Sequence, residues 1–140
     1  MNDAASAAKI VLNARESSSG SYTFFLEHVL KKQPYSAKAM SQPSTSQVAD
    51  NVAADKGAIG YVGLGYLNDK IKTVKIKVDA KSPAVAPSLE TVLNNTYPLA
   101  RPLFEYTQGE PSGASKTWLD WVSGPGGQEI VKKLGFVPAK

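Results

Sequence analysis

The 140-residue sequence has no cysteine and one histidine, and each shortage removes a class of chemistry. Without cysteine there is no disulfide, no thiolate metal site and no cysteine nucleophile. With His28 alone, a histidine-dependent triad or a zinc cluster has almost nothing to build on, and the ring is expected at the core edge of an amphipathic helix. No apolar run approaches the ~18 residues of a membrane span, and Met1 to Ile10 lacks the basic start and apolar stretch of a signal peptide. Charge of neither sign dominates: 16 Lys and Arg against 12 Asp and Glu give +4, a mild excess that suits an anionic partner without naming one. Asp50, Asp55, Asp69, Asp79 and Asp120 fall without the spacing of a paired-carboxylate or calcium-loop site. Hydrolase and metal readings therefore have no support, and no cofactor is expected.

What is present is ordinary globular composition, 42% apolar and 20% charged, in a length that suits one compact domain. Residues 1–8, small and polar, read as a loose, disordered lead-in, and structure is expected from Lys9. Ile10, Val11 and Leu12 form a strand-length apolar run leading through Asn13-Ala14-Arg15 into the cluster Ser17-Ser18-Ser19-Gly20-Ser21. From Ser21, Phe24, Phe25, His28 and Val29 recur at helical spacing, with Lys31 and Lys32 expected in the last turn and Pro34 as the stop.

A second helix follows, capped by Ser44 or Ser46, striped by Val48, Val52 and Ala53 and closed by Lys56-Gly57. Ala58 to Val62 reads as a buried strand, and Val74, Ile76 and Val78, alternating with Lys75 and Lys77, as a half-exposed one. Ser88 to Asn95 is a short helix, and Pro98 and Pro102 send Leu99 to Tyr106 to a sheet edge or a crossing segment. Two helices end the chain, one carrying Trp118, Leu119, Trp121 and Val122, the other Ile130, Val131 and Leu134, split at Gly124 to Gly127 and closed by Gly135.

One place carries binding chemistry. A strand ending in Arg15 and a Ser/Gly loop opening a helix make an anion site, because the first N–H groups of a helix lack internal partners and the dipole is positive there. Gly20 lets an anion approach the backbone, Ser19 and Ser21 add hydroxyl donors, and Arg15 offers a planar fork matched to two oxygens of a tetrahedral oxyanion. The plainer alternative is that Ser19 only caps the helix and Arg15 pairs with a carboxylate.

Other motifs favour structural readings. The glycines of Gly60-Tyr61-Val62-Gly63-Leu64-Gly65 lack nucleotide-loop spacing and suit close packing of a strand. Lys70, Lys72, Lys75 and Lys77 suggest a nucleic-acid surface, but their alternation with apolar residues fits a solvated strand face, and no aromatics are interleaved for stacking. Trp118 and Trp121, three apart, are expected in the core.

The segment Arg15-Glu16-Ser17-Ser18-Ser19-Gly20-Ser21-Tyr22 resembles the motif of arginine, three residues and Ser-Gly-Thr found in periplasmic phosphate-binding proteins of the PstS type, which deliver phosphate to an ABC transporter. Ala58 to Tyr66, Tyr97 to Leu103, and Trp118 to Val122 with Pro125-Gly126-Gly127-Gln128 and Gly135-Phe136-Val137-Pro138 resemble later stretches of the same family, in order. The resemblance implies an α/β fold: residues 9–140 would be a single lobe, the C-terminal half of a two-lobed periplasmic-binding-protein fold, with a short mixed sheet flanked by helices. It implies that Arg15, Ser19, Gly20 and Ser21 bind phosphate, with Ser21 keeping the hydroxyl of the commoner threonine.

The family's first lobe brings its own donor loop, a further serine and an aspartate, so phosphate binding by this half alone is expected to be weak. The implied partners are the phosphate ion, the missing first lobe or a second copy, as a homodimer or by strand exchange, and the ABC permease of the full-length family. Nucleic acid is not among them. The implied location is the periplasm and the implied function is binding without catalysis. The readings kept beside it are a non-catalytic structural or interaction module with no ligand and, ranked below that, a basic nucleic-acid-binding domain.

Overall fold

Val11-Leu12-Asn13-Ala14-Arg15 forms the central strand β1 (Val11–Arg15) in the computed structural model, which describes residues 9–139. The lead-in expected over residues 1–8 lies outside the described residues. The chain forms two compact units that divide between Lys72 and Thr73.

In the first unit β1 is flanked by β2 (Met40–Gln42) and β3 (Ala58–Gly60), in the order β2-β1-β3. Both pairings are parallel, with Arg15 opposite Gln42 and Asn13 opposite Gly60. A parallel ladder needs a crossover between strands, here α1 (Gly20–His28) and α2 (Thr45–Ala54). One crossover moves outward to β2 and the next back past β1 to β3, so right-handed connections set the two helices on opposite faces. A central strand so covered is buried on both sides, and successive residues Asn13 and Ala14 are 4% and 6% exposed. Val48 of α2 is fully buried and packs on β3 at Gly60.

Helix ends follow local chemistry. Ser44 caps α2, its hydroxyl accepting from the Gln47 N–H at 3.0 Å. The first helix stops at His28, one turn before the lysines expected to close it. Lys31 and Lys32 instead take positive φ of 51° and 64°, and the Lys32 N–H folds back on the Leu26 carbonyl at 2.8 Å. Pro34 biases its predecessor toward extended backbone, so the chain turns sharply before it. His28 is exposed and stacks on Phe24 at 4.3 Å, outside any core. The strand expected over Ala58 to Val62 ends at Gly60, and Ile59 is 47% exposed because β3 lies at the edge of the three strands.

The second unit contains α3 (Leu89–Leu93), α4 (Gly113–Ser123) and α5 (Pro125–Lys133). A capping box, Ser88 with Thr91, opens α3. Gly124 both closes α4 and opens α5, with Pro125 in the first turn where its missing N–H costs nothing. A Cβ on Gly127 would collide with the Val122 backbone, so glycine permits that close turn. Gly135, at φ 76°, terminates α5 as read from the sequence.

Three expectations for this unit change. Residues 74–78 form no strand; one antiparallel bridge joins Ile76 to Val85, and Val74 and Val78 are exposed. Alternation supplies a face but no partner, and a strand without neighbours is not stable. Of the two places expected for Leu99 to Tyr106, the sheet edge is excluded, since the segment joins no ladder among the described residues and Leu103, Phe104 and Tyr106 are exposed. Trp118 and Trp121 are 56% and 49% exposed and lie against each other at 5.6 Å, so they are not core residues.

Candidate functional site

In a parallel sheet every helix that follows a strand opens at the same edge, beyond the strands' C-terminal ends. The N-termini of α1 and α2 both lie there, after Arg15 and Gln42. β1 extends one bond past its last residue, with the Glu16 N–H on the Gln42 carbonyl at 3.1 Å. A turn closed by the Ser19 N–H on the Glu16 carbonyl (3.0 Å) then delivers the chain into α1 at Gly20.

Arg15 is half-buried at the start of this turn, and its guanidinium reaches the opening of α2. Its Nε–H donates to the Gln42 carbonyl at 3.3 Å, Nη1 to Thr45 Oγ1 at 2.6 Å and Nη2 to the Pro43 carbonyl at 3.1 Å. A guanidinium has five N–H bonds, so the three in use among the described residues leave one on each Nη for a two-pronged contact. None of these partners is a carboxylate, so among the described residues the cation keeps its charge unneutralised.

Ser19, Gly20 and Ser21 come together at the N-terminus of α1. Ser19 is the N-cap, its Oγ accepting from the Ser21 N–H at 3.2 Å, and the helical ladder begins with the Thr23 N–H on the Ser19 carbonyl. The N–H groups of Gly20 and Tyr22 precede that ladder. Capping uses a lone pair of Ser19 and leaves its hydroxyl proton for donation, while Gly20 is solvent-exposed. The plainer sequence reading is thus right that Ser19 caps the helix, but among the described residues Arg15 pairs with no carboxylate.

Three tyrosines that the motif reading did not single out tie this turn down. The Arg15 backbone N–H donates to Tyr61 Oη at 3.0 Å, Tyr61 and Tyr35 hydroxyls meet at 3.0 Å, and Tyr35 Oη donates to the Tyr22 carbonyl at 3.0 Å. Phe25 stacks on Tyr61 at 4.3 Å and Tyr22 on Tyr35 at 4.4 Å. Burial, reinforced by the Tyr61 hydrogen bond, pushes the Tyr35 phenol well above its ordinary range, so it stays neutral. The only sequence hint was position: Tyr61 directly follows the strand's end and Tyr35 directly follows Pro34.

Comparison with known proteins gives a consistent answer. A family model described as "PBP superfamily domain" matches residues 2–125. The phosphate-binding protein PstS of Pseudomonas aeruginosa is 32% identical over 133 residues, 92% of this chain and 41% of that protein. The PstS of Staphylococcus epidermidis is 36% identical over 117 residues, 81% of this chain and 35% of that protein. A crystal structure of a phosphate-binding protein of a phosphate ABC transporter from Streptococcus pneumoniae superposes with a TM-score of 0.76 at 27% identity, covering 95% of this chain and 52% of that one. The chain therefore spans about two fifths of the length of these PstS relatives.

Proposed function

The chain belongs to the PBP superfamily, and from that premise we propose that it binds inorganic phosphate, without catalysis, through Arg15 and the Ser19-Gly20-Ser21 turn. One observation carries the reading: among the described residues Arg15 is locked by two carbonyls and a hydroxyl, with one N–H on each Nη to spare and no carboxylate to neutralise it. A salt-bridged arginine would be committed elsewhere; this one is oriented and still has donors. The N–H groups at the start of α1 and the hydroxyls of Ser19 and Ser21 supply the rest.

Residues 9–140 act in this reading as one lobe of a two-lobed binding protein, and the PstS names of the relatives support it. The remaining phosphate ligands then come from chain beyond these residues, and closure of the two lobes on phosphate signals to an ABC permease at the periplasmic face of the membrane. Hydrogen bonds to a charged group contribute about 1.5–3 kcal/mol each, offset here by desolvation of an open half-site. A net of about 4 kcal/mol is millimolar affinity, the value expected of this chain by itself. A first lobe, or a second copy of the chain, would cover the remainder of the anion.

A ligand-free scaffold is the second reading, favoured by the Ser19 to Ser21 bond, which is what a simple cap requires. Titrating inorganic phosphate into ¹⁵N-labelled chain separates the two. Millimolar saturating shifts at Gly20 and Ser21, abolished in Arg15→Ala, support the site. Absence of any phosphate response at Gly20 supports the scaffold, and micromolar binding that survives Arg15→Ala overturns both the site and the expected weakness.

A further inference from the structure

We propose that Tyr61 and Tyr35 are positioning residues for the phosphate turn, clamping its two ends, Arg15 and Tyr22, through one relay of hydroxyl groups. The proposal rests on reading that turn as the phosphate site.

The polarity of the relay follows from its ends. The Arg15 N–H can only donate and the Tyr22 carbonyl can only accept, so Tyr61 Oη accepts from Arg15 and Tyr35 gives its proton to Tyr22. The proton left to fill the 3.0 Å contact between the two phenols is that of Tyr61. Each hydroxyl therefore donates once and accepts once, in a single direction, an arrangement in which each bond polarises the next.

The relay stands where the sheet runs out. The Glu16 N–H points to β2, at Gln42, so the preceding N–H of Arg15 points the other way, toward β3. The β1–β3 ladder has already ended at the Asn13–Gly60 pair, two residues before Arg15. The Tyr61 side chain supplies the acceptor that a longer β3 would have provided. Its ring is held by Phe25 at 4.3 Å and 13° between planes, and the Tyr35 ring by Tyr22 at 4.4 Å and 22°.

Between the clamped ends, Glu16, Ser17 and Ser18 are exposed. The relay thus fixes Arg15, which carries the guanidinium, against the first turn of α1, which carries the N–H and hydroxyl donors. Because burial and the Tyr61 hydrogen bond keep the Tyr35 phenol neutral, that member of the clamp places no negative charge beside the anion.

The test uses the full chain as wild type, Tyr61→Phe, Tyr35→Phe and, as a control, Tyr66→Phe, whose ring lies in the separate 3₁₀ turn Leu64–Tyr66. Two readouts are taken for each: the phosphate dissociation constant from Gly20 amide shifts, and hydrogen exchange at Arg15 against Leu12 and Asn13. Loss of one net hydrogen bond corresponds to a factor of about 3 to 10, so Tyr61→Phe is expected to weaken phosphate and speed Arg15 exchange by about that much, leaving Leu12 and Asn13 unchanged. Tyr35→Phe is expected to weaken phosphate with a smaller effect at Arg15, and Tyr66→Phe to change neither.

A general loss of stability would instead speed exchange along the whole strand and overturn the positioning role. Wild-type affinity with wild-type exchange at Arg15 in both relay variants overturns the relay and leaves the phosphate site standing. Absence of a wild-type phosphate response at Gly20 overturns the site itself and the relay's role with it. If Tyr61→Phe fails to fold, Tyr35→Phe, which leaves Arg15 its acceptor, decides by the same two readouts.

Discussion

Gly60 and Val48 meet so closely that a Cβ on Gly60 would stand 2.5 Å from Val48 Cγ1. Val48 is fully buried, and this contact sets how near α2 lies to β3. Gly60→Ala is therefore expected to destabilise the chain by about 1–3 kcal/mol, the usual range for overpacking. Val48→Ala alone should also destabilise, through a cavity. Combined, the two are expected to cost less than the sum, because the smaller partner makes room for the new methyl. Urea midpoints of the four proteins check this, and strict additivity would show that the contact does not set the spacing.

Thr45 is the only side chain among the three groups that hold the Arg15 guanidinium, at 2.6 Å. Thr45→Val keeps the shape and deletes the acceptor, leaving Arg15 free to turn about the two carbonyl contacts. The expected result is phosphate binding weaker by about 3- to 10-fold, one net hydrogen bond, with little change in thermal midpoint. An unchanged dissociation constant would mean that the carbonyls of Gln42 and Pro43 orient the arginine unaided.

Ser44 closes the first orphan donors of α2, the helix that carries both Val48 and Thr45. Ser44→Ala is expected to cost about 1 kcal/mol, the typical loss for a serine cap. Ser44→Asp should recover that loss, since aspartate caps as well and suits the dipole. Denaturation curves of the pair distinguish a cap from a residue that matters through bulk.

These local devices were legible in the sequence because their partners lie within one helical turn. Ser19, Ser44, Pro125 and Gly135 act on backbone groups a few residues away, and each helix they bound formed. The alternation at residues 74–78 was equally visible but insufficient, since a strand exists only when another segment arrives beside it, and only Val85 does. The positions of Arg15, Ser19, Gly20 and Ser21 in one strand-to-helix turn were likewise readable. What holds Arg15 was not. Its acceptors are mostly backbone carbonyls of Gln42 and Pro43, groups every residue possesses, and the tyrosine relay joins residues 13 to 46 positions apart. The exposed Trp118 and Trp121 failed for a related reason: three-residue spacing identifies one helical face, not what lies opposite it.

Alkaline pH gives a last expectation. The Tyr35 phenol is raised above its ordinary value chiefly by burial and then by its bond to Tyr61, and Tyr97 is raised by burial alone. A raised phenol binds its proton more tightly folded than unfolded. Its contribution is fully present below the unfolded value of about 10 and is lost as pH climbs from there toward the folded value. Stability should therefore be flat in this respect from pH 7 to 9 and fall above pH 10. Tyr35→Phe should start lower, lacking the relay, and fall less steeply over the same interval, keeping the Tyr97 component. Urea midpoints at pH 8 and pH 11 measure the two slopes, and equal slopes would mean that Tyr35 ionises in the folded chain as easily as in the unfolded one.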